Sequence, residues 1–160
     1  MKYALASLIV LTSLVVSSSA RSAPDCDCMG PGPPAEERKL HTLVFLGTVE
    51  SVRDSTLPKP SRWSVPAHAQ RAIVHMQSIW KGTPEREITI SGISPEVCEG
   101  ALKFRPGESY LFYVDSTADG WWADFCSRTR TRARAAEDLA ALGKPVIVQR
   151  LPGRKPRSTR

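Results

Sequence analysis

Four cysteines carry the most reactive side chains of this sequence, and they are Cys26, Cys28, Cys98 and Cys126. The first two form a Cys-x-Cys pair, which lacks the Cys-x-x-Cys spacing and the neighbouring ligands of common metal sites. Disulfide bonds are therefore predicted. A bond between Cys26 and Cys28 would close a tight, strained ring. We expect each of these two to pair with one of the distant cysteines, and both such schemes remain open.

No other residues form a catalytic or metal-binding pattern. The three histidines, His41, His68 and His75, are spaced without a metal-ligand pattern, and we predict a solvated or structurally hydrogen-bonded role for each. Ser91 and Ser94 lie near predicted turns, outside any Gly-x-Ser-x-Gly or Ser-x-x-Lys motif. With every cysteine in a disulfide, no thiol nucleophile remains. The sequence thus predicts no catalytic residue, no resident metal, no cofactor and no enzymatic activity.

Two residue sets resemble ligand-binding surfaces. A run of alternating arginines, Arg128, Arg130, Arg132 and Arg134, lies beside aromatic strands, as in barrels that bind oligonucleotides. We interpret the run as the solvated start of a helix and predict no nucleic-acid partner. The second set is aromatic and consists of Tyr110, Tyr113, Trp121 and Trp122. Its position suits a ligand-binding patch, but alternate residues of each barrel strand fill the barrel interior, so at least half of these four are predicted to be core residues.

The first twenty residues have the pattern of a cleavable signal peptide. A positive start at residues 1–3 precedes an apolar run at residues 4–16, which is shorter than the about 20 residues that a membrane-spanning helix needs. Small residues at 17–20 then predict cleavage between Ala20 and Arg21. The protein is therefore expected to be secreted or periplasmic, where disulfides persist, and to have no membrane span.

Length and charge predict three segments: the signal peptide at 1–20, one domain at 21–149 and a basic tail at 150–160. The length left after cleavage suits a single domain, which we expect to be monomeric. The net charge is +6, but residues 21–149 are formally neutral. The excess positive charge lies in the proline- and arginine-rich tail, which is expected to be disordered.

Short strands must position these residues. Alternating apolar residues predict five strands, at 43–49, 71–80, 86–93, 109–115 and 121–125, the first of them with one buried face. One helical turn is predicted before them, at 35–41. Loops are predicted at 55–69 and 94–100, and Asp119-Gly120 is a hairpin signal between the last two strands.

Near its end the chain changes to helical spacing. The apolar positions that recur every three to four residues are Ala135, Leu139 and Leu142. They predict a helix over residues 131–142 that packs on the sheet, with Glu137 and Asp138 on the opposite face. Gly143 ends this helix, and residues 146–148 are expected to pair briefly with a strand.

The predicted fold class is mainly β, with a C-terminal helix packed on the sheet. Five antiparallel strands suit a small closed barrel, because closure removes the exposed strand edges that an open sheet would leave. Periodicity alone does not separate this barrel from a small sandwich.

Six short strings occur in a recognisable order over nearly all of residues 26–143. They are Cys26-Asp27-Cys28 followed by prolines, VFLGTV at 44–49, IWKG at 79–82, VCEG at 97–100, FRPG at 104–107 with YLFY at 110–113, and CSRT at 126–129. In this order, and with this cysteine spacing, the chain resembles the tissue inhibitors of metalloproteinases and, more broadly, netrin-like domains. Their fold is a five-stranded OB-type barrel with helices packed against it.

The resemblance implies that Cys26 pairs with Cys98 and Cys28 with Cys126. It also implies a mechanism, since in these inhibitors the residue matching Cys26 begins the mature chain, and its amino group and carbonyl oxygen chelate the catalytic zinc of a protease. Asp27 would then enter the specificity pocket. The implied contact ridge consists of Cys26, Asp27, Cys28, Met29, Ser94, Pro95, Glu96 and Val97.

The position of the mature end separates two functions. A chain that begins at Cys26 has the free amino group of a zinc metalloprotease inhibitor. Cleavage after Ala20 instead leaves residues 21–25 in front, and the nitrogen of Cys26 becomes a peptide amide, which is a poor zinc ligand. That alternative is a non-inhibitory interaction module of the extracellular space or periplasm, built on an OB-type barrel.

Overall fold

A computed structural model describes residues 26, 28, 30–56, 68–98 and 100–148. The structure is mainly β with short helices. In chain order the elements are α1 (Pro34–Leu40), β1 (Leu43–Thr56), β2 (His68–Lys81), β3 (Glu87–Ile93), β4 (Ser109–Thr117), β5 (Gly120–Ala123), β6 (Arg130–Thr131), a 3-10 helix (Arg132–Arg134), α2 (Ala136–Leu142) and β7 (Ile147–Val148). The predicted signal peptide and basic tail lie outside the described residues.

The strand pairings run in a ring. β1 pairs with β2 and with β4, β2 pairs with β3, β3 with β5, and β5 with β4. The prediction that all strands are antiparallel is wrong for one pair, since β3 and β5 are parallel. The reason is geometric: five strands that pair in a ring cannot alternate in direction all the way round, so one neighbouring pair must be parallel.

Two apolar clusters lie on opposite faces of β1 and β4. The larger contains Phe45, Tyr110 and Phe112, and the rings of the two phenylalanines stack with centroids 4.9 Å apart. The smaller contains Val44 and Leu111, which pack under α2. The prediction that the first strand has only one buried face is therefore wrong at its start, because α2 covers the face that would otherwise meet water.

The C-terminal helix is shorter than predicted. The segment expected to start it forms β6 and a 3-10 turn, because Arg130 and Thr131 pair with β4. α2 begins at Ala136, and Leu142 packs in the smaller cluster as expected. The helix ends at Gly143, whose φ of 67° lies in the left-handed region that glycine favours.

β1 and β2 are longer than predicted and form one extended antiparallel ribbon. Pairing continues to Thr56 opposite His68, so the loop predicted at residues 55–69 is shorter at both ends, and residues 57–67 lie outside the described part.

The hairpin between β4 and β5 is confirmed, with Thr117 opposite Gly120. The short β7 pairs with β2, also as predicted. Among the described residues, no helix is both long enough and apolar enough to cross a membrane.

Candidate functional site

Two disulfides attach the start of the described chain to distant parts of the fold. Cys26 is bonded to Cys98 and Cys28 to Cys126, with Cα–Cα distances of 5.6 and 5.5 Å. These are the pairs that the resemblance implied. The bonds span 72 and 98 residues of sequence and leave no described cysteine free.

The first disulfide rests on an apolar base. Cys98 is fully buried in a cluster with Ile93 and Ala101, and Cys26 and Trp122 pack against it. A buried anchor of this kind restricts the motion of Cys26, because moving it would expose apolar surface to water. Of the predicted aromatic set, Tyr110 and Tyr113 are core residues and the two tryptophans are half-buried, as expected.

The turn before Cys98 lies beside Cys26. The Sγ of Cys26 is 3.7 Å from the carbonyl oxygen of Val97. The backbone N–H of Val97 donates to the carbonyl oxygen of Ser94 at 2.9 Å. Ser94 is buried, whereas Glu96 is exposed and Pro95 and Val97 are half-buried. The structure thus brings together the two halves of the predicted ridge, apart from Asp27 and Met29, which lie outside the described residues.

Both backbone polar groups of Gly32 are hydrogen-bonded to the body of the domain. Its N–H donates to Glu37 Oε1 at 2.8 Å, and its carbonyl accepts from Arg128 Nη1 at 2.9 Å. A Cβ on Gly32 would lie 3.2 Å from the same Glu37 oxygen. We name this arrangement the Gly32 clamp. It holds the chain four residues beyond Cys28 without relying on the disulfides.

The clamp depends on a buried ion pair. The Asp138 side chain is 0% exposed, and Arg128 Nη2 donates to its Oδ2 at 3.1 Å. Tyr113 also donates its hydroxyl hydrogen to Asp138, at 3.1 Å. The hydrogen bond to Asp138 raises the pKa of Arg128, and burial followed by the nearby Asp138 charge raises the pKa of Tyr113. Arg128 is therefore a fixed positive charge inside the domain.

Two predictions are wrong at this ion pair. Asp138 was expected on the solvent face of the helix, beside Glu137, and Arg128 in a solvated run. Asp138 instead faces inward, because Arg128 is itself buried and neutralises it. Apolar periodicity did not reveal this, since a pair of opposite charges ten residues apart looks like ordinary polar surface.

A second polar cluster, half-buried, lies at the end of α1. His41 Nδ1 is 2.8 Å from Asp115 Oδ2, and His41 Nε2 is 3.2 Å from Glu37 Oε2. The Thr42 N–H also donates to Asp115, at 2.8 Å. Burial would raise the pKa of Asp115, but the hydrogen bonds from Thr42 and His41 outweigh it, so this pKa is lowered. His41 has the structurally satisfied role that its spacing predicted, and through Glu37 it supports the Gly32 clamp.

A cleft of about 310 Å³ lies beside the Cys28–Cys126 disulfide. Its lining combines apolar side chains, such as Phe104, with the basic side chains of Arg130 and Arg134. The lining also contains the acidic Asp124, and Arg130 Nη1 lies 3.6 Å from Asp138 Oδ2, so the cleft is apolar with charges of both signs at its edge.

No protein-family model matches this chain. No curated protein matches it either.

Proposed function

We propose that this protein is an exported inhibitor of zinc metalloproteases, like the tissue inhibitors that its sequence resembles. The ridge formed by residues 26–29 and 94–97 is the inhibitory surface. The observation that carries the proposal is the joining of these two segments by the Cys26–Cys98 disulfide. The presence of two disulfides supports the secreted or periplasmic location in the proposal, because such bonds persist in oxidising compartments.

An OB-type closed barrel is the scaffold in this proposal. The ring of pairings among β1 to β5 supports it, because a five-stranded Greek-key barrel requires the first strand to pair with two neighbours. The fully buried Phe45 and Phe112 on one face of β1 and β4 would then fill the barrel interior.

The proposed inhibitory chemistry needs a mature chain that begins at Cys26. Its amino group and carbonyl oxygen then form a five-membered chelate at the coordination position that a catalytic zinc keeps for water. Asp27 enters the specificity pocket, and the turn at 94–97 extends the contact. The Cys98 anchor and the Gly32 clamp support this mechanism, because a ridge that is already rigid loses little entropy on binding.

The test compares two purified forms of the protein, one beginning at Cys26 and one at Arg21. Both are assayed against a panel of zinc metalloproteases, and intact mass before and after reduction verifies the mature end and both disulfides. We expect the Cys26 form to inhibit, and both its Nα-acetylated derivative and the Arg21 form to be inactive. If the disulfide-bonded Cys26 form slows no protease in the panel, the proposed function is wrong.

A second candidate is a non-inhibitory interaction module. The cleft beside Cys28–Cys126 favours it, because this surface does not require a free amino group at Cys26. The same assay, together with N-terminal sequencing of the naturally exported protein, decides between the two candidates. A natural mature end at Arg21, together with an absence of inhibition by either form, would favour the module.

A further inference from the structure

Three metal-ligating side chains meet on the outer surface of the β1–β2–β3 sheet, away from the ridge. They are Glu50 on β1, His75 on β2 and Glu87 on β3. Their chain neighbours Val49, Val74, Met76 and Ile88 are buried in the main core. Because side chains alternate between the two faces of a strand, the core residues fix the outward direction of all three ligands.

The distances within this group are short. His75 Nε2 lies 3.2 Å from Glu50 Oε2, and His75 Nδ1 lies 3.8 Å from Glu87 Oε2. One ligand atom from each residue can be chosen so that all three atoms lie within 4.8 Å of one another. In a tetrahedral zinc site with bonds of 2.0–2.1 Å, ligand atoms are about 3.4 Å apart. Glu50 contacts Nε2 of His75 and Glu87 contacts Nδ1, and one zinc ion takes only one of these nitrogens, so binding requires one carboxylate to turn toward the nitrogen that the other already contacts.

The charge and hydrogen bonding of the group also suit a cation. A neutral imidazole has one N–H, so it can donate to only one of the two carboxylates, and its other nitrogen then presents a lone pair to the second. In the part of the chain that the structure describes, no lysine or arginine side chain lies within ion-pair distance of Glu50 or Glu87. The two carboxylates are 55% and 52% exposed, so water screens their charge, and a divalent cation would add direct ligation where no lysine or arginine pairs with them.

We propose that Glu50, His75 and Glu87 bind one zinc ion. One imidazole nitrogen with two carboxylate oxygens is a borderline ligand set that suits Zn²⁺, whereas Ca²⁺ and Mg²⁺ prefer oxygen ligands only. Three protein ligands leave one position of the tetrahedron for water or for a ligand from a partner.

The test is a zinc titration of the untagged, disulfide-bonded protein at pH 7.5, followed by calorimetry or by competition with a chromophoric chelator. We expect one equivalent of Zn²⁺ to bind, His75→Ala to abolish this binding, and Glu50→Gln or Glu87→Gln to weaken it by about tenfold or more. The matched control is His68→Ala, which removes an exposed histidine from the same strand and should leave the titration unchanged.

Thermal melting of each variant without zinc checks that it is folded. If His75→Ala does not fold, zinc binding by the Glu50→Gln and Glu87→Gln variants decides the test. The proposal is overturned if the wild-type protein shows no saturable zinc binding. It is also overturned if folded His75→Ala, or the two glutamine variants, bind zinc as the wild-type protein does. These outcomes are independent of protease inhibition, so this site and the proposed function can fail separately.

Discussion

Replacing Asp138 by alanine removes the carboxylate that neutralises Arg128 inside the domain. The side chains of Asp138 and Arg128 are 0% and 8% exposed, so the remaining guanidinium has little access to water. Breaking a buried ion pair by removing one partner costs about 3–5 kcal/mol, because the other charge stays desolvated. The Tyr113 hydroxyl also loses its acceptor. We expect the free energy of unfolding to decrease by about 3–5 kcal/mol.

Glu137→Ala is the matched control. Glu137 is the neighbouring residue and accepts from the same guanidinium, at 2.9 Å, but its side chain is 71% exposed. Exposed ion pairs contribute about 0–1 kcal/mol, because water and salt screen them. The difference between the two alanine variants therefore compares a buried with an exposed partner of the same guanidinium, and it includes the loss of the Tyr113 hydrogen bond to Asp138.

The measurement is urea unfolding of the disulfide-bonded protein, followed by tryptophan fluorescence and compared at constant m-value. The double variant R128M/D138L should be more stable than Asp138→Ala alone, since it removes a buried charge that is then paired only with the exposed Glu137. The reasoning fails if Asp138→Ala lies within about 1 kcal/mol of the wild-type protein, or if Glu137→Ala costs as much as Asp138→Ala.

Three further predictions concern the Gly32 clamp, the loss of stability at acid pH and the Cys28–Cys126 disulfide. Gly32→Ala should lower the unfolding free energy by about 1 kcal/mol, because its Cβ displaces the Glu37 carboxylate 3.2 Å away; an unchanged urea midpoint would contradict this. Because the pKa of Asp115 is lowered in the folded state, this carboxylate stabilises the fold above its unfolded pKa of about 3.9, and the stabilisation is lost as the pH falls through the folded pKa. Urea midpoints measured between pH 5 and pH 2 should therefore depend less on pH in Asp115→Asn than in the wild-type protein. Replacing both Cys28 and Cys126 by serine should lower the free energy of unfolding by about 3 kcal/mol, because the Cys26–Cys98 disulfide already shortens the loop that the second bond closes. Thermal unfolding measures this loss, and a melting temperature equal to that of the wild-type protein would refute the prediction.

Local patterns in the sequence predicted most of the secondary structure. Alternation located β3 and β4, Asp119-Gly120 located a hairpin, and Gly143 located the end of the last helix. Each of these signals depends on a residue and its near neighbours, so it can be interpreted without knowledge of the fold. The start of α2 was misplaced, because Thr131 pairs with a strand that is distant in sequence.

Strand register and packing decided the rest. The parallel β3–β5 pair follows from closing a ring of five strands, and periodicity contains no information about which strands meet. The burial of Asp138 depends on Arg128 reaching the same side of the helix. Charge patterns along the chain cannot distinguish this buried pair from solvated surface.

The cysteines show the division between the two sources of information. Their number and spacing excluded a bond between Cys26 and Cys28 and left two cross-linking schemes, of which the resemblance implied one, and the folded chain shows Cys26 bonded to Cys98. The same holds for Glu50, His75 and Glu87, which are far apart in sequence and adjacent across three strands. Sequence spacing determines which residues share a strand face, whereas the register between strands determines which side chains touch, and that register is set by the core of the whole domain.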